Sequence, residues 1–224
     1  MNQEVNYYKY TSSGLASLAS SKIRRKIFDL FMKTMEPVES SLILDVGVTP
    51  NNERPESNFF ENLYPYKNRI TAVSIEDASN LEKLYPGLRF VMIKDGRLPF
   101  NDNEFDVAFS NAVLEHVGSR AQQRRLIVEM IRVSRKCFIA VPDRIFPIEH
   151  HTALPLIHYL PQELHRRLLR ILGKELYASE ERLNLLTKGI FKSLFPSNVK
   201  LKIMRTRLLL IPSNIIAVVT KEGF

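Results

Sequence analysis

The sequence predicts an α/β fold with an open, mostly parallel sheet that is covered by helices on both faces. Over residues 21–141, apolar runs of strand length alternate with segments that carry apolar residues at helical spacing. The strand-like runs are almost continuously apolar, as expected for parallel strands buried on both faces. Two strand-like segments near the C-terminus, joined by a short turn, predict an antiparallel hairpin at the sheet edge.

Composition excludes several classes of protein. The chain has 224 residues and a single cysteine, Cys137, which excludes a disulfide scaffold and is expected to be a buried, inert thiol. No apolar run reaches the roughly 18–20 residues that span a bilayer. The first thirty residues are polar and lack a small-residue cleavage site, so we expect no secretory signal and a cytoplasmic protein.

The chain divides into an N-terminal helical segment, residues 1–40, and one domain over residues 41–224. The first segment contains an amphipathic helix over residues 21–35 that Pro37 ends. Five buried strands are predicted in the first part of the domain, over residues 42–47, 70–75, 89–93, 105–109 and 137–141.

Helices are predicted between these strands. Ser57 is positioned to cap a helix that carries Phe59 and Phe60, and residues 77–84 fit a short helix before the turn at Pro86 and Gly87. The sequence Ser119-Arg120-Ala121-Gln122 has the form of a capping box that opens a longer helix.

The C-terminal third has a different character. Residues 161–172 predict an amphipathic helix, and a further helix capped by Ser179 is predicted to extend to about residue 195. Strands over residues 199–209 and 214–220, with a turn at residues 211–213, complete the hairpin. We expect residues 144–197 to form a helical insertion over an acceptor site.

Polar residues follow each of the first four predicted strands. They are Asp45 to Gly47, Glu76 with Asp77, Asp95 with Gly96, and Ser110 with Asn111. The carboxyl ends of parallel strands lie on one edge of a sheet, where open α/β sheets bind their ligands. We therefore expect these residues to form one site.

The chemistry of these residues indicates the ligand class. A carboxylate after the second strand can accept hydrogen bonds from both ribose hydroxyls, and an Asp-Gly pair after the third can accept from an adenine amine. The loop after the first strand lacks the glycine pattern of a dinucleotide fold and the Gly-Lys-Ser/Thr of a P-loop. Its acid, Asp45, repels phosphate and attracts an ammonium group, which favours S-adenosylmethionine over NAD.

Four segments carry a resemblance to a known family. The runs 44–47, 72–77, 95–100 and above all 105–116, in which Phe-Asp-Val precedes Leu-Glu-His, resemble the class I S-adenosylmethionine-dependent methyltransferases, in particular the type 11 methyltransferase-domain family. The resemblance covers residues 40–145 and implies a Rossmann-like, mostly parallel seven-stranded sheet with one antiparallel strand near its edge. It also implies cofactor-binding roles for Asp45, Val46, Gly47, Val48, Glu76, Asp77, Asp95, Gly96 and Asn111.

The glycine-rich loop departs from the family's pattern. Where the family carries its second and third glycines, this chain has Thr49 and Asn51, with Pro50 between them. Side chains there crowd the cofactor's path, and Pro50 lacks a backbone donor. Either the loop takes a wider course together with residues 52–58, or the chain is a binding or scaffold protein that has lost its cofactor.

Histidines are the candidate catalytic residues. His116 and the pair His150 and His151, beside Glu149, follow strands on the expected edge and titrate near neutrality, as a general base for a hydroxyl acceptor should. We expect an acceptor hydroxyl on a sugar, a lipid-linked molecule or a secondary metabolite. No metal is expected, because adjacent histidines cannot point the same way and no His-x-x-x-His spacing is present.

Positive charge is concentrated beyond the cofactor motifs. Residues 1–150 contain 20 basic and 19 acidic side chains, whereas residues 151–224 contain 12 and 5. The helix over residues 161–172 presents arginines, which fits an anionic or lipid-linked acceptor or peripheral contact with an anionic membrane. Nucleic acid is not favoured, because aromatic side chains are not interleaved with the charges.

Overall fold

A computed structural model describes residues 14–52, 56–149 and 151–221. Its centre is one sheet of seven strands in the order β3-β2-β1-β4-β5-β7-β6. The strands are β1 (Ile43–Val46), β2 (Ile70–Ser74), β3 (Arg89–Met92), β4 (Phe105–Asn111), β5 (Ser134–Pro142), β6 (Val199–Leu208) and β7 (Ile211–Lys221).

The sheet is parallel except at one strand. Strands β1 to β5 pair in parallel, and β7 pairs antiparallel with both β5 and β6. Strand order reverses between β1 and β4, which both emerge at the centre of the sheet. This is the Rossmann-like seven-stranded arrangement predicted from the sequence, and it places the ligand-binding edge at the ends of β1, β2 and β4.

Helices cover both faces of the sheet. They are α1 (Gly14–Met35), α2 (Phe59–Leu63), α3 (Asn80–Leu84), α4 (Arg120–Val133), α5 (Gln162–Ile171) and α6 (Lys188–Ser193). On one face Ile27 and Phe31 of α1 pack with Phe60 of α2 in one apolar core. On the other face Ile127 of α4 and Phe191 of α6 belong to a second core. Burial of apolar side chains on both sides explains why the central strands are apolar almost throughout.

Several predicted elements are confirmed. Ser119 and Gln122 form the capping box of α4, in which each side chain accepts a hydrogen bond from the other's backbone. Pro161 precedes α5, and Gly173 follows it with a positive φ of 68°. Helix α1 begins earlier than predicted, at Gly14, and β4 extends to Asn111, so Ser110 and Asn111 are strand residues.

Other predictions about local structure are wrong. The N-cap of α2 is Asn58, not Ser57, and α3 begins at Asn80 rather than near residue 77. No helix starts at Ser179: residues 178–187 are irregular, and only α6, capped by Thr187, is helical before residue 195. The hairpin turn lies at residues 209–210, and the Ile211-Pro212-Ser213 segment belongs to β7.

Helix α5 buries a different face from the one its sequence predicts. Leu164, Ile171 and Leu172, which the pattern places on the apolar side, are exposed, whereas His165 and Leu169 are buried. Leu169 packs with Tyr177 and Leu183 in a small separate core. Among the helices that the structure describes, none is both long and apolar enough to cross a bilayer.

Candidate active site

A cavity of about 580 Å³ opens at the carboxyl ends of β1, β2 and β4. Parallel pairing brings the residues that follow these strands to one edge, so the predicted polar clusters meet there. The predicted residues that line the cavity are Asp45, Val46, Gly47, Val48, Glu76, Asp95, Gly96, Asn111, His116 and His151. Asp77 does not line it, and His150 lies outside the described residues.

Gly47 makes the sharp turn that follows β1. Its φ is +101°, and its N–H donates a hydrogen bond to the carbonyl of Val73 at 2.8 Å. A Cβ at this position would lie 2.1 Å from Cγ2 of Val113. Both the backbone conformation and the close approach of Val113 therefore require glycine.

The loop without the family's glycines is held by side-chain amides. Asn58, with φ +45°, accepts a hydrogen bond from the Thr49 N–H at 3.0 Å and donates to the Thr49 carbonyl at 2.8 Å. Asn58 also donates to Oδ1 of Asn52, and Asn80 donates to the carbonyl of Pro50. The loop is therefore joined to Asn52 and Asn58, as the first of the two alternatives expects.

The carboxylates after β2 and β3 differ in their surroundings. Glu76 is half-buried and lines the cavity. Asp77 is exposed and accepts a hydrogen bond from the N–H of Ser79, which lowers its pKa. Asp95 accepts from the N–H of Arg97 at 3.1 Å, and Gly96 has φ +74° with open space where a Cβ would stand. Of the two neighbouring acids, Glu76 alone lines the cavity, and its predicted contact with ribose stays a prediction.

Two carboxyl groups face each other at the floor of the cavity. Glu61 of α2, which is fully buried, lies beside Asp45. Burial raises the pKa of both groups, and the Glu61 charge raises that of Asp45 further, so the pair favours a shared proton more than two exposed carboxyls would. Sequence reasoning missed Glu61, although an acid inside the apolar run Phe59-Phe60-Glu61 was a usable signal.

Asn111 presents an unsatisfied acceptor to the same cavity. Its Oδ1 is buried without a hydrogen-bond partner among the described residues. A buried orphan acceptor beside two carboxyls suits a cationic ligand, such as the ammonium and sulfonium groups of S-adenosylmethionine. These residues therefore fit the cofactor: Asp45 and Asn111 would hold its methionyl end, Glu76 its ribose and Asp95 its adenine.

Two histidines meet in the cavity wall, 35 residues apart in sequence. The Nε2 atoms of His116 and His151 are 2.9 Å apart, and their ring planes are nearly perpendicular, at 88°. Nδ1 of His116 donates to the carbonyl of Arg182 at 2.7 Å. Nδ1 of His151 lies 2.6 Å from Oε1 of Glu149, whose other oxygen accepts from the Thr152 N–H.

The electrostatics of this cluster are uneven. Burial, together with nearby His151, lowers the pKa of His116 to about 3. Burial also opposes the charge on His151 and on Glu149, but their mutual attraction outweighs it: the pKa of His151 is raised and that of Glu149 is lowered. The shifts thus favour a charged Glu149 carboxylate and disfavour a second proton on His116.

Glu115 completes the cluster and was not predicted as a site residue. It is only 1% exposed, and burial raises its pKa to about 7. Neither carboxylate oxygen has a hydrogen bond to another described residue. Its carboxylate and the two histidine nitrogens lie within 4.8 Å of one another.

Residues 182–186 attach the C-terminal segment to this wall. The Asn184 N–H donates to the carbonyl of Glu115 at 2.7 Å, and its side chain donates to the carbonyl of Gly118 at 2.8 Å. Arg120 donates to the carbonyls of Asn184 and Leu185. These bonds hold the loop after β4 against the segment that provides the Arg182 carbonyl.

Residues 56–137 match the family model described as methyltransferase domain. No protein among those of curated function matches the sequence significantly. The fold is shared with many solved structures, among them the PH0226 protein of Pyrococcus horikoshii, at 15% identity and a TM-score of 0.59. That alignment covers 96% of this chain and 95% of the other.

Two further similar structures contain S-adenosylhomocysteine, the demethylated cofactor. They are the N-methyltransferase NodS of Bradyrhizobium japonicum and the magnesium protoporphyrin IX methyltransferase of Synechocystis. NodS has 12% identity and a TM-score of 0.55, over 89% of this chain and 87% of its own. The Synechocystis enzyme has 11% identity and a TM-score of 0.55, over 91% and 84%. The match to a methyltransferase-domain model and the shared fold support the predicted resemblance to class I S-adenosylmethionine-dependent methyltransferases, and the two structures with S-adenosylhomocysteine agree with the predicted cofactor.

Proposed function

We propose that the chain transfers a methyl group from S-adenosylmethionine to a hydroxyl oxygen of a small molecule. The acceptor classes that fit are sugars, lipid-linked molecules and secondary metabolites. One observation carries the proposal: the cluster of His116, His151 and Glu149 stands in the wall of the cofactor cavity. The fold alone does not select the acceptor atom, since a similar structure is an N-methyltransferase.

A hydroxyl acceptor needs help that an amine does not. A neutral amine attacks a methyl sulfonium with its own lone pair, whereas a hydroxyl becomes a good nucleophile only as its proton leaves. The histidine cluster offers ring nitrogens that can accept this proton as the hydroxyl oxygen attacks. The cluster lines the same cavity as Asn111, where the sulfonium is expected, so acceptor and cofactor would meet there.

The acceptor class can be tested with matched pairs. Purified protein is incubated with methyl-labelled S-adenosylmethionine and with acceptors that differ only in a hydroxyl or an amine at one position. We expect labelled product and S-adenosylhomocysteine with the hydroxyl compounds. Methylation of the amine members alone, across sugars and lipid-linked compounds, would contradict the proposal.

We further propose that residues 144–197 cover the acceptor site and contact an anionic membrane through α5. Leu164 and Ile171 of α5 are 44% and 70% exposed, beside the exposed Arg167 and Arg170. Exposed leucine and isoleucine flanked by arginine are typical of helices that lie in a lipid interface. Such contact would bring a lipid-linked acceptor to the cavity.

Vesicle sedimentation tests this contact. We expect binding to vesicles that contain phosphatidylserine, weak binding to pure phosphatidylcholine, and a loss of several-fold with Ile171→Ser. Leu84→Ser, which changes an exposed leucine of α3, is the matched control and should bind as the unmodified protein does. Equal binding to both vesicle types would remove the membrane from the proposal.

A further inference from the structure

The two facing histidines have an unusual arrangement of donors and acceptors. A backbone carbonyl can only accept, so Nδ1 of His116 carries a hydrogen, and Nδ1 of His151 donates to the Glu149 carboxylate. In their neutral forms both rings therefore direct an Nε2 lone pair at the same point. Two lone pairs 2.9 Å apart repel each other unless a proton or a cation lies between them.

The outer partners of these rings are those of metal-binding histidines. Such a histidine almost always donates its second ring N–H to a carboxylate or a backbone carbonyl, which fixes the tautomer and turns the other nitrogen to the metal. Here His151 uses a carboxylate, and His116 uses the carbonyl of Arg182. What lies between the two Nε2 atoms therefore decides the chemistry of both rings.

Glu115 supplies the second, independent observation. It is 1% exposed, and neither of its oxygens has a hydrogen bond to another described residue. An unpartnered carboxylate at this depth is strongly unfavourable unless it is neutralised or paired with a cation. One of its oxygens lies within 4.8 Å of a ring nitrogen of each histidine, so a bound cation would compensate for all three groups.

We propose that Glu115, His116 and His151 bind one divalent transition-metal ion. With a metal–nitrogen distance of about 2.1 Å, two nitrogens 2.9 Å apart subtend about 90° at the metal, whereas a tetrahedral site needs about 3.4 Å. A right angle between the two nitrogens, with one carboxylate nearby, is typical of an octahedral ion with open coordination positions, and the Glu115 side chain would move toward the ion as it binds. These positions would face the cavity, because His116 and His151 line it.

The role of this ion in catalysis rests on the proposed function, although its binding does not. The ion would bind the acceptor hydroxyl, lower the pKa of that hydroxyl and hold its oxygen for in-line attack. The hydroxyl proton passes to water, the new O–C bond forms as the C–S bond breaks, and the electron pair of that bond remains on sulfur. Acceptors with a second oxygen donor next to the hydroxyl would bind best, because they chelate the ion.

Binding of Co²⁺ tests the site directly. The full chain, treated with a chelator and then desalted, is titrated with Co²⁺ by calorimetry and visible absorption. We expect one ion per chain, and affinity at least tenfold weaker in Glu115→Gln and His151→Asn. Glu181→Gln and His165→Asn change a carboxylate and a histidine outside the cluster, and both should bind as the unmodified chain does. If a variant fails to fold, the melting temperature of the unmodified chain is measured with and without Co²⁺ instead, and we expect it to rise with Co²⁺.

Two outcomes overturn the inference. One is that Co²⁺, Mn²⁺ and Zn²⁺ all fail to bind the unmodified chain. The other is that they bind equally well when Glu115, His116 and His151 are all replaced. The proposed function is tested separately, by methyl transfer to hydroxyl acceptors. Unchanged methyl transfer by the metal-free protein refutes a catalytic role for the metal and leaves the proposed function intact. Co²⁺ binding without any hydroxyl methylation supports the metal site and refutes the proposed function.

Discussion

The two halves of the cavity are built in different ways. The half that we expect to bind the cofactor, called the cofactor half, consists mainly of short turns that follow β1, β2 and β3, and the predicted residues there lie within four positions of a strand end. The acceptor half consists of His116, His151 and Glu149, which are held by contacts between distant parts of the chain. The His116 ring, for example, is fixed by the carbonyl of Arg182, 66 residues away.

This difference separates what the fold dictates from what the individual chain adds. Parallel pairing places strand ends at one edge whatever the loops contain, so a cofactor site follows from the sheet itself. The acceptor half depends on long-range contacts, because Asn184 and Arg182 bond to the loop after β4 and hold His116 in place. Substitutions in the two halves should therefore change different quantities.

The largest effect is expected in the acceptor half. Replacing His151 with alanine removes one ring contact of His116 and one hydrogen bond of Glu149. We expect turnover to fall by about 100-fold or more, the usual contribution of such groups, with cofactor affinity changed less than twofold. Formation of S-adenosylhomocysteine and calorimetric cofactor binding measure the two quantities. A parallel loss of cofactor affinity would show that the two halves are not separate.

The sequence was sufficient for the sheet and for most of the cofactor half. Apolar strands with acids at their ends predict both the parallel order and the positions of Asp45, Glu76 and Asp95. The sequence did not distinguish Asp77 from Glu76, because the pattern does not show which of two adjacent acids points into the cavity, and Asp77 does not line it. The structure shows that it faces solvent and bonds to Ser79.

The sequence was insufficient where long-range contacts decide the conformation. The helix predicted from Ser179 is absent because Tyr177, Ala178 and Leu183 pack against Leu169, and this core replaces helical periodicity. Glu115 was visible in the Leu-Glu-His motif, but only the fold shows that it is buried close to two histidines. Glu115 could have been recognised as a site residue from its position, since a charged residue there stands between an apolar residue, Leu114, and a candidate base, His116.

A comparison of two glycines tests how tightly the cofactor half is built. Gly47→Ala places a methyl group against Val113 at positive φ, so we expect a loss of about 2–4 kcal/mol in the free energy of unfolding and a weaker cofactor site. Gly96→Ala has positive φ but open space, and should cost about 1 kcal/mol. Urea denaturation measures both. Equal costs would mean that backbone conformation alone, and not Val113, requires glycine after β1.

A smaller effect is expected after β2. Glu76→Ala removes a carboxylate that is positioned to accept from the ribose hydroxyls, and should weaken S-adenosylmethionine binding by roughly tenfold, the loss of one charge-assisted contact. Asp77→Ala, the neighbouring acid outside the cavity, should change affinity less than twofold. Titration calorimetry measures both variants. If Asp77→Ala has the larger effect, the cofactor lies differently along β2 from the pose inferred here.

The smallest expected effect is the number of protons that Asp45 and Glu61 release when the cofactor binds. Burial raises the pKa of Asp45 and Glu61, so the pair retains a proton that the bound ammonium of S-adenosylmethionine would displace. Binding should therefore release up to one proton and strengthen as pH rises. Calorimetry in phosphate and in Tris, whose ionisation enthalpies differ, gives the number released.

The raised pKa values of Asp45 and Glu61 also determine how the free energy of unfolding changes with pH. For a carboxyl whose pKa is raised by folding, the folded state binds more protons, so the free energy of unfolding falls as pH rises above the group's unfolded pKa. Glu61→Gln removes one such group while retaining its shape, and its amide can donate to the Asp45 carboxylate. We expect this variant to be more stable at neutral pH and to release fewer protons on cofactor binding. Unchanged proton release with Glu61→Gln would place the ammonium away from Asp45 and move the methionyl end of the cofactor toward Asn111.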